Sequence, residues 1–216
     1  MNFDFWFDRG FEVVPLIPSN QLSAFPRLDL SKKYPGFRKL EKRIWEEYEI
    51  IPRSTKALRK EWTSTFADVG IELGKVIAIT FEGKDVYILN ELIQITKNHL
   101  GSAPRIIEDQ YKISLIYRTS DHFETVKILA FEQLVPRTIS SHADLQVLLQ
   151  PSGYLKVGGR SQLNKYLVFP DGIPSFRSLS IINSKSSRTL KPLWEEYLND
   201  EGFICSGSSI NLVALQ

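Results

Sequence analysis

Apolar residues recur at the three- and four-residue spacing of amphipathic helices in two stretches of the first half of the chain. These stretches cover residues 36–48 and 85–100, and Gly101 stands where the second helix would end. Ser54 can cap another helix that continues to about residue 65. A short closing helix is predicted at residues 193–198. The spacing therefore predicts that most of the helices lie early in the chain.

Short runs of β-branched and aromatic residues, separated by Gly and Pro turns, predict strands in the later part of the chain. The apolar run from Val76 to Phe81 is typical of a buried central strand. These patterns together predict an α+β fold in which flanking helices cover a mixed, mostly antiparallel sheet. The predicted strands are residues 11–18, 68–74, 76–81, 112–118, 125–131, 145–149, 154–157 and 166–169.

The composition is that of an ordinary globular protein. The chain has 216 residues, of which 43% are hydrophobic and 24% are charged, and these values exclude disordered and disulfide-scaffold classes. We expect one α+β domain over residues 1–175 and a C-terminal extension over residues 176–216, whose short helix packs on the same domain. The single cysteine, Cys205, fits a reducing compartment, and no apolar run approaches the roughly 20 residues of a membrane span. We therefore expect a cytoplasmic protein with no membrane partner.

The distribution of charge is more informative than its total. The formal net charge of +2 is too balanced to indicate nucleic-acid binding. Basic residues nevertheless concentrate in residues 27–60, and Lys185, Arg188 and Lys191 form a second basic group in a Ser-rich stretch. Either group could contact phosphates, or the first could be a solvated helix face and the second a solvated loop.

The familiar catalytic and metal-binding motifs do not occur in this sequence, which contains no Walker loop, paired CxxC, HExxH or GxSxG. The three histidines are scattered, and Cys205 lies in a Gly- and Ser-rich tail with no histidine close to it in sequence. The turn at Gly158, Gly159 and Arg160 could offer backbone amides and a cation to a phosphate, or could simply be a turn.

The end of the apolar central strand carries polar residues that could matter for chemistry. Carboxylates at positions i and i+2 of a strand point to the same face, and paired acids of this kind hold divalent ions for nucleotidyl transfer. Glu82 is such an acid, but its partner position is occupied by Thr80. Asp85 is better explained as the N-cap of the following helix. The sequence therefore predicts an incomplete two-metal site.

Four stretches of the chain carry a resemblance through their shared order and spacing. They are residues 10–18 (GFEVVPLIP), 68–82 (DVGIELG and VIAITFE), 100–119 (LGSAPR, a lysine and LIYRT) and 145–166 (LQVLL, GG and KY). They resemble four stretches of the bifunctional DNA primase/polymerase family. The first resembles the family's opening strand, and the second resembles its NVGI-x-TG and VV-x-IDID core. The third is similar to its LG-x-APVR and K-x-LLVYRT stretch, and the fourth to its QVEIL and VA-x-GIHP-x-TG-x-Y end. The resemblance covers about residues 10–170 and implies a primase–polymerase-like fold.

The departures from the family pattern fall on its chemistry. The family's metal-binding aspartate pair corresponds to Thr80 and Glu82, and the acid of its QVE strand corresponds to Leu148. Residues 159–162, which match the family's nucleotide-associated histidine motif, contain no histidine. Because metal-assisted phosphoryl transfer needs carboxylates to hold the ions, the resemblance implies a catalytically degenerate copy.

Such a copy would bind nucleic acid, DNA or RNA, or a replication or mobility protein such as a helicase, and would need no cofactor. The resemblance places it in a plasmid, phage or transposon-like system. Phosphate contacts would come from cations of the former nucleotide cleft and of a basic helix. These cations are Lys112, Arg118, Arg160 and Lys165, together with Lys39, Lys42 and Arg43.

Other functions remain open at this point. In an active enzyme, a rebuilt site of Glu82, Asp85 and Asp144 would hold Mg²⁺ or Mn²⁺. A metal-dependent nuclease could use the acids and the lysine of the sequence Glu108-Asp109-x-Tyr111-Lys112. A purely protein-binding adaptor would need none of these groups.

Overall fold

The computed structural model describes residues 3–16, 56, 59–60, 68–132, 143–158 and 168–209. The predicted helix at 36–48 lies outside these residues, as does most of the one predicted at 54–65. In chain order the elements are α1 (Phe3–Phe7), β1 (Val13–Leu16), β2 (Asp68–Glu72), β3 (Val76–Gly83), α2 (Val86–Leu100), β4 (Arg105–Asp109), β5 (Lys112–Arg118), β6 (Val126–Glu132), β7 (Leu145–Gln150), β8 (Tyr154–Gly158), a 3₁₀ turn (Phe176–Ser178), α3 (Ser184–Asp200) and β9 (Phe203–Ser209). This mixture of helices and antiparallel strands confirms the predicted α+β class.

The chain divides into two compact units. The smaller unit contains the described residues of Met1–Glu72 and Gly153–Lys165 together with Ser175–Arg177, and the larger unit contains the rest. Residues from Ser178 onward belong to the larger unit, where α3 supplies part of the hydrophobic core and β9 joins the sheet.

The smaller unit is built on an antiparallel sheet in the order β1, β2, β8. The fully buried Trp6 of α1 anchors this sheet, because its indole nitrogen donates a hydrogen bond to the carbonyl oxygen of Val157 at 3.2 Å. The Trp6 ring also meets Phe11 edge-on, with ring centroids 5.7 Å apart. This core includes the predicted strand at 11–18, observed as β1, whereas α1 was not predicted.

The larger unit is built on a six-stranded sheet in the order β4, β5, β3, β7, β6, β9, in which all neighbouring strands are antiparallel. The strand β3 lies inside the sheet between β5 and β7, and Ile77, Ile79 and Phe81 are fully buried. The prediction of a buried central strand is therefore confirmed.

The helix α2 has the ends that its sequence predicted. The side chain of Asp85 accepts hydrogen bonds from the backbone amides of Tyr87 and Ile88, so it is the N-cap. Gly101 ends the helix with a positive φ of 90°, a conformation that favours glycine.

The prediction for the closing helix was wrong in its extent. The helix α3 begins nine residues earlier than predicted, where Asn183 caps the amide of Ser186. Its buried residues Leu190, Trp194 and Leu198 lie four apart, on one side of the helix. Only the second half is visibly amphipathic in the sequence, so the polar first half was interpreted as a loop.

Two strands of the larger sheet were not predicted. The strand β4 follows Pro104 and pairs with β5. The strand β9, rich in Gly and Ser, was interpreted as a tail, but it pairs with β6 over seven residues. Pairing with a neighbouring strand, rather than intrinsic propensity, makes this segment a strand.

In the described part of the chain, none of the helices has the length and apolar character needed to cross a membrane.

Candidate functional site

The six-stranded sheet has two faces of different character, because side chains alternate along each strand. One face, which includes Ile79 and Phe81, packs against α2 and α3, where Trp194 of α3 meets Phe81, and we call it the helix-covered face. The opposite face carries the intervening residues of each strand, and we call it the second face. Its polar end holds Thr80 and Glu82 of β3 with their neighbours on β5 and β7. We call these residues the cross-strand cluster: Thr80, Glu82, Lys112, Ser114, Gln146 and Leu148.

The strand register brings together the three positions that match the acids of the primase–polymerase family. Thr80 lies directly opposite Leu148 on β7. Glu82 is two residues further along β3, on the same face, and lies opposite Gln146. Positions far apart in the sequence are therefore neighbours on the second face.

Thr80 takes part in a buried polar pair. Its hydroxyl lies 2.8 Å from the hydroxyl of Ser114, the residue opposite it on β5, and either oxygen can be the donor. The two residues are only 7% and 5% exposed. The pair satisfies polar groups that would be costly to bury alone, and Thr80, which the resemblance matches to an aspartate of the family, contributes a neutral hydroxyl.

Glu82 is held by a lysine. The ammonium of Lys112, opposite Glu82 on β5, lies 3.8 Å from Oε2 of Glu82 and 3.2 Å from Oε2 of Glu108 on β4. All three side chains are partly exposed, so water screens these contacts. Since two carboxylates share one ammonium, the group carries one net negative charge. Lys112 is therefore a poor contact for a phosphate.

The other two acids of the predicted rebuilt site make local contacts with the backbone. The carboxylate of Asp85 accepts from two amides at the start of α2, and Oδ2 of Asp144 accepts from the amide of Glu132 at 3.1 Å. Within the described ranges, no three acidic, histidine or cysteine side chains are grouped so that they could hold a metal ion.

The two predicted phosphate-binding cations that the structure describes, Lys112 and Arg118, lie at opposite ends of β5. Arg118 is at the far end of β5 from Lys112, roughly 20 Å away at the rise of a strand. Its backbone amide donates to the carbonyl oxygen of Ser180 at 2.9 Å. The other predicted cations, Arg160, Lys165, Lys39, Lys42 and Arg43, lie outside the described residues.

The single cysteine lies next to the core of the larger unit. Cys205 is partly buried and packs against the helix-covered face. Burial, assisted by the nearby charge of Glu195, raises the pKa of its thiol. A raised pKa reduces the thiolate fraction at neutral pH, so this site does not favour nucleophilic chemistry.

An ion pair at the β4 edge of the sheet has a structural role. The guanidinium of Arg105 binds Asp171 through two hydrogen bonds, Nε to Oδ2 at 2.9 Å and Nη2 to Oδ1 at 3.1 Å. This contact with Arg105 lowers the pKa of the Asp171 carboxyl. Nearby, Ile107 and Val168 form an isolated antiparallel bridge. The pair therefore fixes the loop that contains Asp171 against β4.

Sequence reasoning missed the partners within the cross-strand cluster. Ser114 lies in the middle of β5, where the sequence analysis had singled out only Lys112 and Arg118 at the two ends, and Glu108 had been associated with Lys112 through sequence spacing alone. Their contacts with Thr80 and Glu82 depend on strand register, which no local motif reveals.

The comparisons with known proteins do not alter this picture. No protein-family model matches the chain, and no curated protein matches it. The resemblance to the primase–polymerase family therefore depends on the sequence motifs alone.

Proposed function

We propose that this chain is a primase–polymerase-like domain that binds DNA without transferring nucleotides, in the replication or mobility system of a plasmid, phage or transposon-like element. The observation that carries this proposal is the meeting of positions 80, 82 and 148 on the second face of the sheet. A site that once held metal ions with three acids would need these positions to be neighbours. The order of these three positions in the sequence does not by itself make them neighbours in the sheet.

The residues at these positions support a loss of catalysis. Thr80 and Leu148 offer no carboxylate, and the one acid, Glu82, pairs with Lys112. Two-metal nucleotidyl transfer uses several carboxylates to fix both ions around the reacting oxygens. A domain with these residues would keep the scaffold and the ability to bind, and would depend on another protein for synthesis.

The first test is binding and turnover by the purified protein. Labelled single- and double-stranded DNA is titrated at about 50 and 200 mM NaCl, and binding is expected to weaken about tenfold or more as counterion release becomes less favourable. The same samples receive nucleotides with Mg²⁺ or Mn²⁺, and no primer synthesis or extension is expected. Turnover would contradict the proposal and favour an active enzyme, whereas failure to bind DNA would favour a protein-binding adaptor.

A restored acidic site tests the resemblance itself. Thr80→Asp with Leu148→Glu would return carboxylates to the two positions beside Glu82. The control is Thr80→Asn with Leu148→Gln, which has nearly the same shape without the charge. Calorimetric titration with Mn²⁺ is expected to show at least about tenfold tighter binding to the acidic variant, since carboxylates are the ligands that such ions prefer. Equal binding by the two variants would contradict the resemblance.

One observation favours a second candidate, a metal-dependent nuclease. Glu82 and Glu108 come from different strands and meet at Lys112, so two acids and a lysine share one place on the sheet. Two carboxylates could hold an ion while a lysine assists at the scissile phosphate. DNA cleavage in Mg²⁺ or Mn²⁺ that is lost in Glu108→Gln and retained in Glu124→Gln, which changes an exposed acid elsewhere in the larger unit, would establish this activity.

A further inference from the structure

The first half of α3 carries a group of cations that the proposed function does not use. Lys185 and Arg188 are exposed and lie three residues apart, so they lie near each other on the solvent side of the helix. The buried residues Leu190 and Trp194 lie on the other side. The sequence had suggested a solvated loop here, but the helix holds these cations together on one surface.

The cations of this surface differ in whether they have acidic partners. Lys191, one turn further on, is half-buried and pairs with Glu195 at 3.6 Å. Lys185 and Arg188 make no ion pair with any residue that the structure describes. The one carboxylate at the start of the helix, that of Asp121, accepts a hydrogen bond from the backbone amide of Ser184. The exposed surface therefore has an excess of positive charge.

The placement of charge along α3 is opposite to the arrangement that stabilises a helix. Its first turn contains no acidic residue and its last turn contains no basic residue. Acids such as Glu195, Glu196 and Asp200 lie in the second half. Because the helix dipole makes the N-terminal end positive, cations there repel it and one another. The Asp121 carboxylate already meets the first amide of the helix, and a further anion beside Lys185 and Arg188 would relieve the repulsion between these two cations.

The neighbouring end of α2 adds to the same surface. His99, in the last turn of α2, lies with Nε2 2.6 Å from the hydroxyl oxygen of Thr189 and 3.0 Å from the carbonyl oxygen of Ser186. This contact fixes the polar end of α2 beside the basic half of α3. The surface therefore includes exposed residues of two helices, His99 of α2 and Lys185 and Arg188 of α3, and an open surface suits an extended polyanion better than an enclosed small ligand.

We propose that Lys185 and Arg188 form a phosphate-contact surface for nucleic acid on the helix side of the larger unit. This inference rests on the DNA binding proposed above and assigns the surface responsible for it. The two residues are separated by about 4.5 Å along the helix axis, and charges on one DNA strand recur about every 3.4 Å of duplex axis. Contacts of this kind position a duplex without reading its sequence.

The test compares two charge reversals of equal size in the full chain. One variant is Lys185→Glu with Arg188→Glu, and the control is Lys75→Glu with Lys84→Glu, which changes two exposed lysines elsewhere in the larger unit. Fluorescence anisotropy with labelled duplex DNA is measured from about 50 to 200 mM NaCl. The α3 variant is expected to lose at least about tenfold in affinity, and its salt slope to fall by about two, since each lost phosphate contact removes about 0.9.

Thermal unfolding separates lost contacts from lost structure. The α3 variant is expected to melt at the same temperature as the wild type or higher, because acids replace cations at the positive end of the helix. Should it melt lower, Lys185→Gln with Arg188→Gln removes the charges without adding acids, and the same loss of affinity would still support the proposal.

The possible failures are distinguishable. An α3 variant that binds like the wild type, or a control that loses as much affinity, would overturn this assignment while leaving DNA binding in place. A wild type that binds no DNA at low salt would overturn the proposed function together with this surface.

Discussion

Adjacent residues of one strand have different roles on the two faces of the six-stranded sheet. On β3, Ile79 and Phe81 are fully buried against the helices, where Phe81 meets Trp194 edge-on at 6.0 Å. The next residues along, Thr80 and Glu82, instead make polar contacts with β5. The comparison teaches that the helix-covered face is stabilised by apolar packing, whereas the second face, where Thr80 and Ser114 are also buried, needs polar groups that satisfy one another across neighbouring strands.

The largest expected difference between the two faces is in the unfolding free energy lost when a leucine is replaced by alanine. Leu149→Ala removes a fully buried side chain from the helix-covered face and should lower the free energy of unfolding by about 2–5 kcal/mol. Leu148→Ala, at the neighbouring residue on the second face, removes a side chain that is only partly buried and should cost less, about 1–2 kcal/mol. Urea unfolding followed by circular dichroism measures both. Equal costs would show that the second face is packed as firmly as the first.

Breaking the buried hydroxyl pair of Thr80 and Ser114 should have the next largest effect on the free energy of unfolding. Thr80→Val keeps the shape of the side chain but leaves the Ser114 hydroxyl without its partner, and should cost about 1–3 kcal/mol. Thr80→Val with Ser114→Ala removes both polar groups and should be closer to the wild type in unfolding free energy. Ser114→Ala is measured as the second single variant. If the double variant loses as much unfolding free energy as the two single variants added together, the hydroxyls are not directly coupled.

The two faces can also be compared by the reactivity of cysteine thiols placed at two adjacent positions of β9. Cys205 packs against the helix-covered face, whereas Ile204 is 52% exposed on the second face. In a Cys205→Ser background, Ile204→Cys should react with iodoacetamide about tenfold faster at pH 8 than native Cys205. Burial raises the pKa of the Cys205 thiol, so its rate should keep rising at a higher pH than that of the exposed thiol. Matching rates and pH profiles would show that Cys205 is not shielded.

The smallest expected effect concerns the ion pairs of the second face. Lys112→Met should change the free energy of unfolding by at most about 1 kcal/mol, because the lysine is 38% exposed and water screens its contacts. This change should shrink as NaCl is raised. Lys127→Met, on the same face, is the matched control and should show no such salt dependence. A larger cost that resists salt would mean that Lys112 holds the strands together.

Local signals predicted the parts of this molecule that depend on neighbouring residues in sequence. Asp85 and Gly101 marked the ends of α2, because capping involves groups within one helical turn. The strand Lys112–Arg118 was predicted with its observed bounds. The first half of α3 was missed because its exposed Lys185 and Arg188 hide the helical spacing, which begins only at Leu190.

The candidate site was predictable only in its individual members. Thr80, Glu82, Leu148 and Lys112 were identified from the sequence and the family resemblance. Their mutual contacts were not, because they require knowing which strands are neighbours and in what register. The sequence alone predicted Lys112 as a phosphate contact, and only the contact with Glu82 and Glu108 shows that its charge is already compensated.

The amino-acid sequence by itself determined the α+β class, the central strand β3 and the ends of α2. These features follow from side-chain periodicity and capping, which act over a few residues. Tertiary structure alone decided that the Gly- and Ser-rich segment from Phe203 becomes an edge strand, and that positions 80, 82 and 148 meet on one face. Such outcomes depend on pairing between distant segments, and the energy of a strand comes from its neighbours in space rather than in sequence.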